Sequence, residues 1–260
     1  MDTQVGVTLY NLREYCKTED GLRRSLEMLH RCGCANIQVS GVALEPAVVR
    51  KAMDEFGLHC CATHEAYDAL AADPWAICDK LDTLGCGFTA IGGAPEIYRS
   101  HLGLTELARR LNEIGGKLAE RGKMFGYHNH HFEFERKGGG HILFETLLSN
   151  LDPELVKLEL DVAWLARGGV NPVVWLKRFA GRHPVVHIKD FTIIDREPAF
   201  CEIGEGNLNW EDIIPACAAT GVEFAVIEQD IPFPGRNIFD SMAISLRNAA
   251  AMGLKSEIEK

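Results

Sequence analysis

No stretch of this 260-residue chain stays apolar for the roughly 18 residues that a membrane-spanning helix needs. The opening, MDTQVGVTLY, is acidic and runs straight into a strand-like segment, so a secretory signal is not expected there. The nine cysteines contain no C-x-x-C pair, which argues against a thiolate zinc site. Their odd number, with no signal, points to reduced thiols. Most sit among apolar residues, where Cys packs as a small hydrophobe. No G-x-G-x-x-G follows the first strand, and no Gly-Lys-Ser/Thr phosphate loop occurs, so neither a dinucleotide nor a phosphorylated substrate is indicated. Positive charge is in short supply: 27 Lys and Arg stand against 37 Asp and Glu, for a net charge of -10. That balance argues against nucleic acid or an anionic membrane as partner. The expected compartment is the cytoplasm.

What the chain does have is one rhythm repeated eight times. Short apolar runs rich in β-branched residues predict strands at 4–10, 35–41, 58–64, 87–93, 123–130, 156–164, 183–190 and 222–230. Between them lie helical segments at 18–33, 45–57, 74–85, 142–150, 171–181 and 209–221, with a last one at 237–253. The fourth helix is marked by Leu104, Leu107, Leu111, Ile114 and Leu118 at steps of three and four, with Thr105 as its expected N-cap. Gly115 and Gly116 inside it lower its propensity, which points to close packing there. A long loop is expected after the seventh strand. Alternating strands and helices imply right-handed β-α-β units and a parallel sheet. Eight units in this length fit a closed (β/α)8 TIM barrel, read as one domain over 1–260. A doubly wound open sheet is the alternative.

A barrel of this kind carries function at the C-terminal ends of its strands. Those ends are His64 (third), His128 and His130 (fifth), Asp161 (sixth), His187 (seventh) and Glu228 (eighth). Each closes an apolar run, where an unpaired charge is costly, and a shared cation would satisfy them together. A mixed set of imidazoles and carboxylates suits Zn²⁺, Mn²⁺ or Co²⁺ better than Ca²⁺. Taken singly, each has a plainer reading: an Asp at a strand end commonly caps a helix, and a His is commonly a satisfied side chain of a partial core.

These residues stand in motifs that resemble the xylose isomerase-like barrel family of sugar isomerases and epimerases. The likeness covers nearly the whole chain: VGVTLYNLRE at the start, YHNHHFEF in the fifth unit, LDVAW in the sixth, HIKD in the seventh, IGEGNLNW after it and VIEQD in the eighth. The resemblance implies a divalent metal, Mn²⁺ first with Mg²⁺, Co²⁺ or Zn²⁺ as alternatives, held by Asp161, His187 and Glu228 and a ligand from the fifth strand. In the family's epimerases that ligand is Glu, the sixth residue after a Gly ending the preceding helix; counted from Gly122 it falls on His128. His128 is thus the first choice for ligand and His130 the second, the other being a candidate acid/base. The two share one strand face by alternation. The epimerases also carry a substrate-binding His where this chain has Trp164, whose ring offers a face for a sugar. Both departures move the chain toward YHNH members acting on keto sugars or keto-inositols.

The implied chemistry is proton abstraction next to a carbonyl through a metal-stabilised enediolate, that of a sugar isomerase or epimerase. His130 and Glu228 are the candidate acid/base pair. The alternatives are a lyase or dehydratase eliminating from a 3-keto-glycoside or keto-inositol, and a non-catalytic sugar-binding barrel. Glu133 is expected to contact substrate, or else to be a surface carboxylate opposite Arg136 or Lys137. Lys189 either meets a substrate oxygen or salt-bridges Asp161 or Glu159. His64 is a substrate contact or a packed polar side chain. Glu202 and Glu205 lie on a Gly-rich loop that could serve as a lid. The expected partner is a small sugar or keto sugar, with a homo-oligomer possible.

Overall fold

Eight apolar runs form strands of only four to six residues, each bounded by the helix signals that follow it. A computed structural model describes residues 3–138 and 140–256. In chain order the barrel strands are β1 (Gln4–Thr8), β2 (Asn36–Val39), β3 (His59–His64), β4 (Phe88–Ile91), β5 (Met124–His128), β6 (Lys157–Asp161), β7 (Val185–Ile188) and, after a hairpin β8 (Asp190–Ile194) and β9 (Glu197–Cys201), β10 (Phe224–Ile227). All barrel pairings are parallel, and β1 pairs with both β2 and β10, so the sheet closes. Outside it lie α1 (Glu19–Arg31), α2 (Pro46–Glu55), α3 (Tyr67–Ala72), α4 (Pro74–Leu84), α5 (His101–Glu120), α6 (Leu143–Asn150), α7 (Val162–Arg167), α8 (Pro172–Arg178), α9 (Trp210–Ala219) and α10 (Ile238–Ala251). This is the (β/α)8 TIM barrel that the sequence pattern predicts.

Local chemistry sets the helix starts. Thr18 accepts from the Gly21 amide at the head of α1, and Asp73 accepts from the Trp75 and Ala76 amides at the head of α4, whose first turn holds Pro74. The expected cap at Thr105 is not found. The cap of α5 is five residues earlier, where the Ser100 hydroxyl accepts from the Gly103 amide, and Thr105 donates back to the His101 carbonyl. Gly115 does mark close packing: a Cβ there would collide with the Leu155 carbonyl oxygen.

Two expectations are corrected after β6 and β7. The segment read as a continuing sixth strand turns at Asp161 into the short helix α7, capped by that Asp side chain. The expected loop after β7 contains the antiparallel hairpin β8–β9, which turns at Asp195 and Arg196, both at positive φ. The chain after the hairpin is tied to Asp190. Its carboxylate accepts from the Gly204, Gly206 and Leu208 amides and from the Trp210 indole N–H at 2.6 Å. Glu202, expected on a lid, is buried and accepts from Ser241 at 2.6 Å and Arg236 at 2.5 Å. This part of the loop is anchored inward.

The main core lies between the strands and the helices. A second apolar cluster of Cys61, Ala62, Phe88, Ala90, Val185 and Val226 is separate from it. Ala62, Val185 and Val226 stand two residues before His64, His187 and Glu228, hence on the same strand face and one layer deeper in the barrel. Phe88 fills space left by Gly126, where a Cβ would meet its ring at 2.6 Å. The polar strand ends therefore rest on a dry floor.

Candidate metal and active site

At the C-terminal mouth, parallel register brings the strand ends side by side: His128 pairs with Glu159, and Asp161 with His187. Tyr10, Ser40, His64, Gly92, His128, His130, Glu228 and Asp230 line a cavity of about 200 Å³ there. Gly92 and Gly93 make room for the rings. A Cβ on Gly93 would come within 3.1 Å of His130 Nδ1, and one on Gly92 within 3.5 Å of His64 Nδ1.

One ligand atom from each of His128, Asp161, His187 and Glu228 lies within 4.8 Å of all the others, and all four residues are buried. A second overlapping group joins His64, His128, Glu159 and His187. His130 belongs to neither group.

The electrostatics fit a cation. Lys189 is buried with its ammonium 2.7 Å from Glu228, 2.8 Å from Asp230 and 3.5 Å from Asp161. Glu159 adds a fourth carboxylate, fully buried. Three carboxylates thus face the ammonium, and Glu159 faces the His64, His128 and His187 rings instead. Burial opposes the charged form of His187, but Glu159 and Glu228 outweigh it and take its pKa up to about 10. Burial likewise opposes ionised Glu228, and Lys189 and His187 outweigh that, holding it well below the usual carboxylate range. Asp161 is pushed up to about 6, mainly by burial. Its Oδ1 accepts from the Trp164 amide, while its Oδ2 has no hydrogen-bond partner. The Nδ1 of His128 makes no hydrogen bond and lies 3.5 Å from Glu159 Oε2. A buried, under-neutralised set of two imidazoles and two carboxylates with open lone pairs is what a divalent ion such as Mn²⁺, Co²⁺ or Zn²⁺ would complete.

Most of the predicted residues meet here. His64, His128, His130, Asp161, His187, Lys189 and Glu228 converge, and Lys189 takes the salt bridge to Asp161 rather than to Glu159. His130 stands over the cavity with Nδ1 unpartnered and its ring 5.0 Å from that of His128. Burial first, then the fields of His128 and Lys189, lower its pKa to about 2, so it is a neutral imidazole.

Glu133 does not sit on the surface, and neither it nor Trp164 is among the residues lining the cavity. Glu133 is fully buried, accepting from the Tyr127 hydroxyl at 2.7 Å and the His130 amide at 2.9 Å, and so braces the turn that aims His130. Trp164 offers no open face for a sugar. His131 stacks on it with centroids 5.0 Å apart, Phe200 packs edge-on, and the Arg167 and Lys189 cations lie 4.8 and 4.9 Å from its ring centroid. Only its indole N–H remains unpartnered. Glu159, Gln38 and Asp230 are site residues that sequence reasoning did not assign.

A sugar phosphate isomerase/epimerase from Parabacteroides distasonis superposes on this chain with a TM-score of 0.80 at 22% identity, covering 96% of this chain and 94% of that one. A xylose isomerase domain protein from Planctomyces limnophilus does so with a TM-score of 0.66 at 15% identity, covering 96% of both. The fold is that of the xylose isomerase-like barrels. No family model matches the chain. Among curated proteins, an inosose dehydratase from Clostridium botulinum (strain Alaska E43 / Type E3) is 31% identical over 135 residues, 45% of this chain and 43% of that protein. The chain's matches span less than half the length of the curated relatives. No helix among the described residues is long and apolar enough to cross a membrane.

Proposed function

We propose that the chain is a divalent-metal-dependent enzyme that removes a proton from the carbon beside the carbonyl of a keto sugar or keto-inositol. The observation that carries this is the convergence of His128, Asp161, His187 and Glu228 next to the neutral, unpartnered imidazole of His130. A divalent cation held by those four residues would supply polarisation of the substrate carbonyl.

The remaining chemistry belongs to the chain. His130 lines the cavity and takes the proton on its imidazole. Negative charge developing on the substrate then offsets the burial that otherwise keeps this imidazole neutral. Lys189, fixed among carboxylates, adds positive field at the same mouth. The cavity lining holds no Arg or Lys, which suits an uncharged polyol.

Elimination is favoured over isomerisation or epimerisation within this reading. The C–H bond breaks and its electron pair becomes a new C=C bond. The C–O bond at the next carbon breaks, and the leaving oxygen takes the proton from His130 and departs as water. One base on one face suffices. Epimerisation needs a second group on the opposite face, for which Glu228 is the available carboxylate, and its Oε2 is already shared by Lys189 and His187. Relatives named inosose dehydratase, at 28–31% identity over part of the chain, point the same way.

The test is incubation of a keto-inositol with protein and Mn²⁺ in D₂O. Loss of the α-proton signal by NMR, with ultraviolet absorbance growing from a dehydrated dicarbonyl product, supports elimination. Exchange without that absorbance supports isomerisation or epimerisation. No exchange in the presence of binding would reduce the chain to a sugar-binding barrel.

A further inference from the structure

Glu159 stands two residues before Asp161 on the same face of β6, in the layer whose other members are Ala62, Val185 and Val226. An acid on this dry floor is expensive unless it is partnered from several sides. Its Oε1 accepts from Gln38 Nε2 at 2.7 Å, and its Oε2 bonds His64 Nε2. The Nδ1 of His128 lies 3.5 Å from Oε2, and the Nε2 of His187 lies 3.4 Å from Oε1.

The donor and acceptor pattern then fixes a direction. An ionised carboxylate only accepts, so Gln38 must present its NH₂ to Glu159 and its carbonyl oxygen elsewhere. That oxygen lies 2.8 Å from His187 Nε2. A carbonyl oxygen only accepts, so His187 carries a hydrogen on Nε2. The Nδ1 of the same ring faces the mouth, 3.1 Å from Glu228 Oε2, and is the nitrogen that would give up its hydrogen to ligate a cation. Metal-binding histidines are commonly oriented by a carboxylate or carbonyl on their other nitrogen.

We propose that Glu159 is a positioning residue that sets the tautomer of His187, through Gln38, and the ring angles of His64 and His128, so that lone pairs point at the metal position. This rests on the metal-site reading above. Glu159→Gln is nearly isosteric, but its amide can donate to the Gln38 oxygen. That lets Gln38 turn over and His187 take the opposite tautomer, with its hydrogen on Nδ1. Gln38→Met removes the relay yet leaves Glu159 close enough to His187 to accept directly, so its effect is smaller. Because the two act in series, their losses do not add.

The experiment is titration of each chelated protein with Co²⁺, following binding by calorimetry and the visible spectrum at saturation. Wild type is expected to bind one ion, and E159Q to bind it about 10–100-fold more weakly with the same saturated spectrum. In the wild type saturated with Zn²⁺, imidazole ¹⁵N–¹H spectra should show the His187 hydrogen kept on Nε2. Equal affinity in wild type and E159Q overturns the inference. So does an altered spectrum at saturation, which makes Glu159 itself a ligand. Failure of the wild type to bind Co²⁺ overturns the metal site instead. Should E159Q not fold by circular dichroism, Q38M carries the same comparison, with unchanged affinity counting against the relay.

Discussion

Replacing Lys189 with Met tests the charge balance of the mouth. The two side chains have similar shape, so packing changes little, but the ammonium that lies 2.7, 2.8 and 3.5 Å from Glu228, Asp230 and Asp161 is lost. With the Lys189 side chain only 1% exposed, solvent does not replace it. Leaving buried charge uncompensated in this way costs about 3–5 kcal/mol. At roughly 2–4 °C of melting temperature per kcal/mol for a chain near this size, K189M should melt about 6–20 °C below wild type in chelator. A divalent ion supplies the missing charge, and at 100-fold excess over its Kd it adds about 2.7 kcal/mol. The melting temperature of K189M should therefore rise more with Mn²⁺ than that of wild type, where the ion must share Asp161 and Glu228 with the ammonium. The assay is thermal unfolding by circular dichroism, in chelator and in Mn²⁺. A melting temperature for K189M within a degree of wild type, or an Mn²⁺ shift no larger than the wild-type shift, would refute the reasoning.

Two further predictions concern stability. Burial pushes the Glu133 carboxyl from 4.5 up to about 8, against the pull of Tyr127 and the His130 amide. A raised pKa in the fold means stability present below about pH 4.5 and lost as pH rises through about 8. E133Q should flatten that decline and exceed wild type at pH 8 by up to roughly 4 kcal/mol in urea unfolding, while matching it near pH 5; parallel curves would count against a protonated Glu133. Gly115→Ala should destabilise by about 1–3 kcal/mol despite its better helix propensity, because the Cβ collides with Leu155. An unchanged urea midpoint would contradict the close packing of α5.

The barrel and four of its strand-end residues were legible because each signal is local. An apolar run of four or five residues followed by Asp161, His187 or Glu228 announces both a strand and the buried polar residue at its end. Glu159 was harder to read. It lies inside the run rather than at its end, and only the register with His128 brings it among the histidines. Gln38 has no signature in NIQVS, since a neutral amide inside a strand is silent until its partners are known. Glu133 precedes Arg136 and Lys137, which made it look exposed; a 3-10 turn over Phe132–Phe134 buries it instead. The covering of Trp164 depends on Phe200 in β9, a strand that Pro198 disguised as loop.

The claim on which the rest depends is that His128, Asp161, His187 and Glu228 together hold one divalent ion. Bound Mn²⁺, measured by elemental analysis after equilibrium dialysis of wild type, D161A and H187A, tests it most directly. The account predicts one ion per chain in the wild type and little in either variant, with all three proteins folded. Equal metal in all three would contradict it.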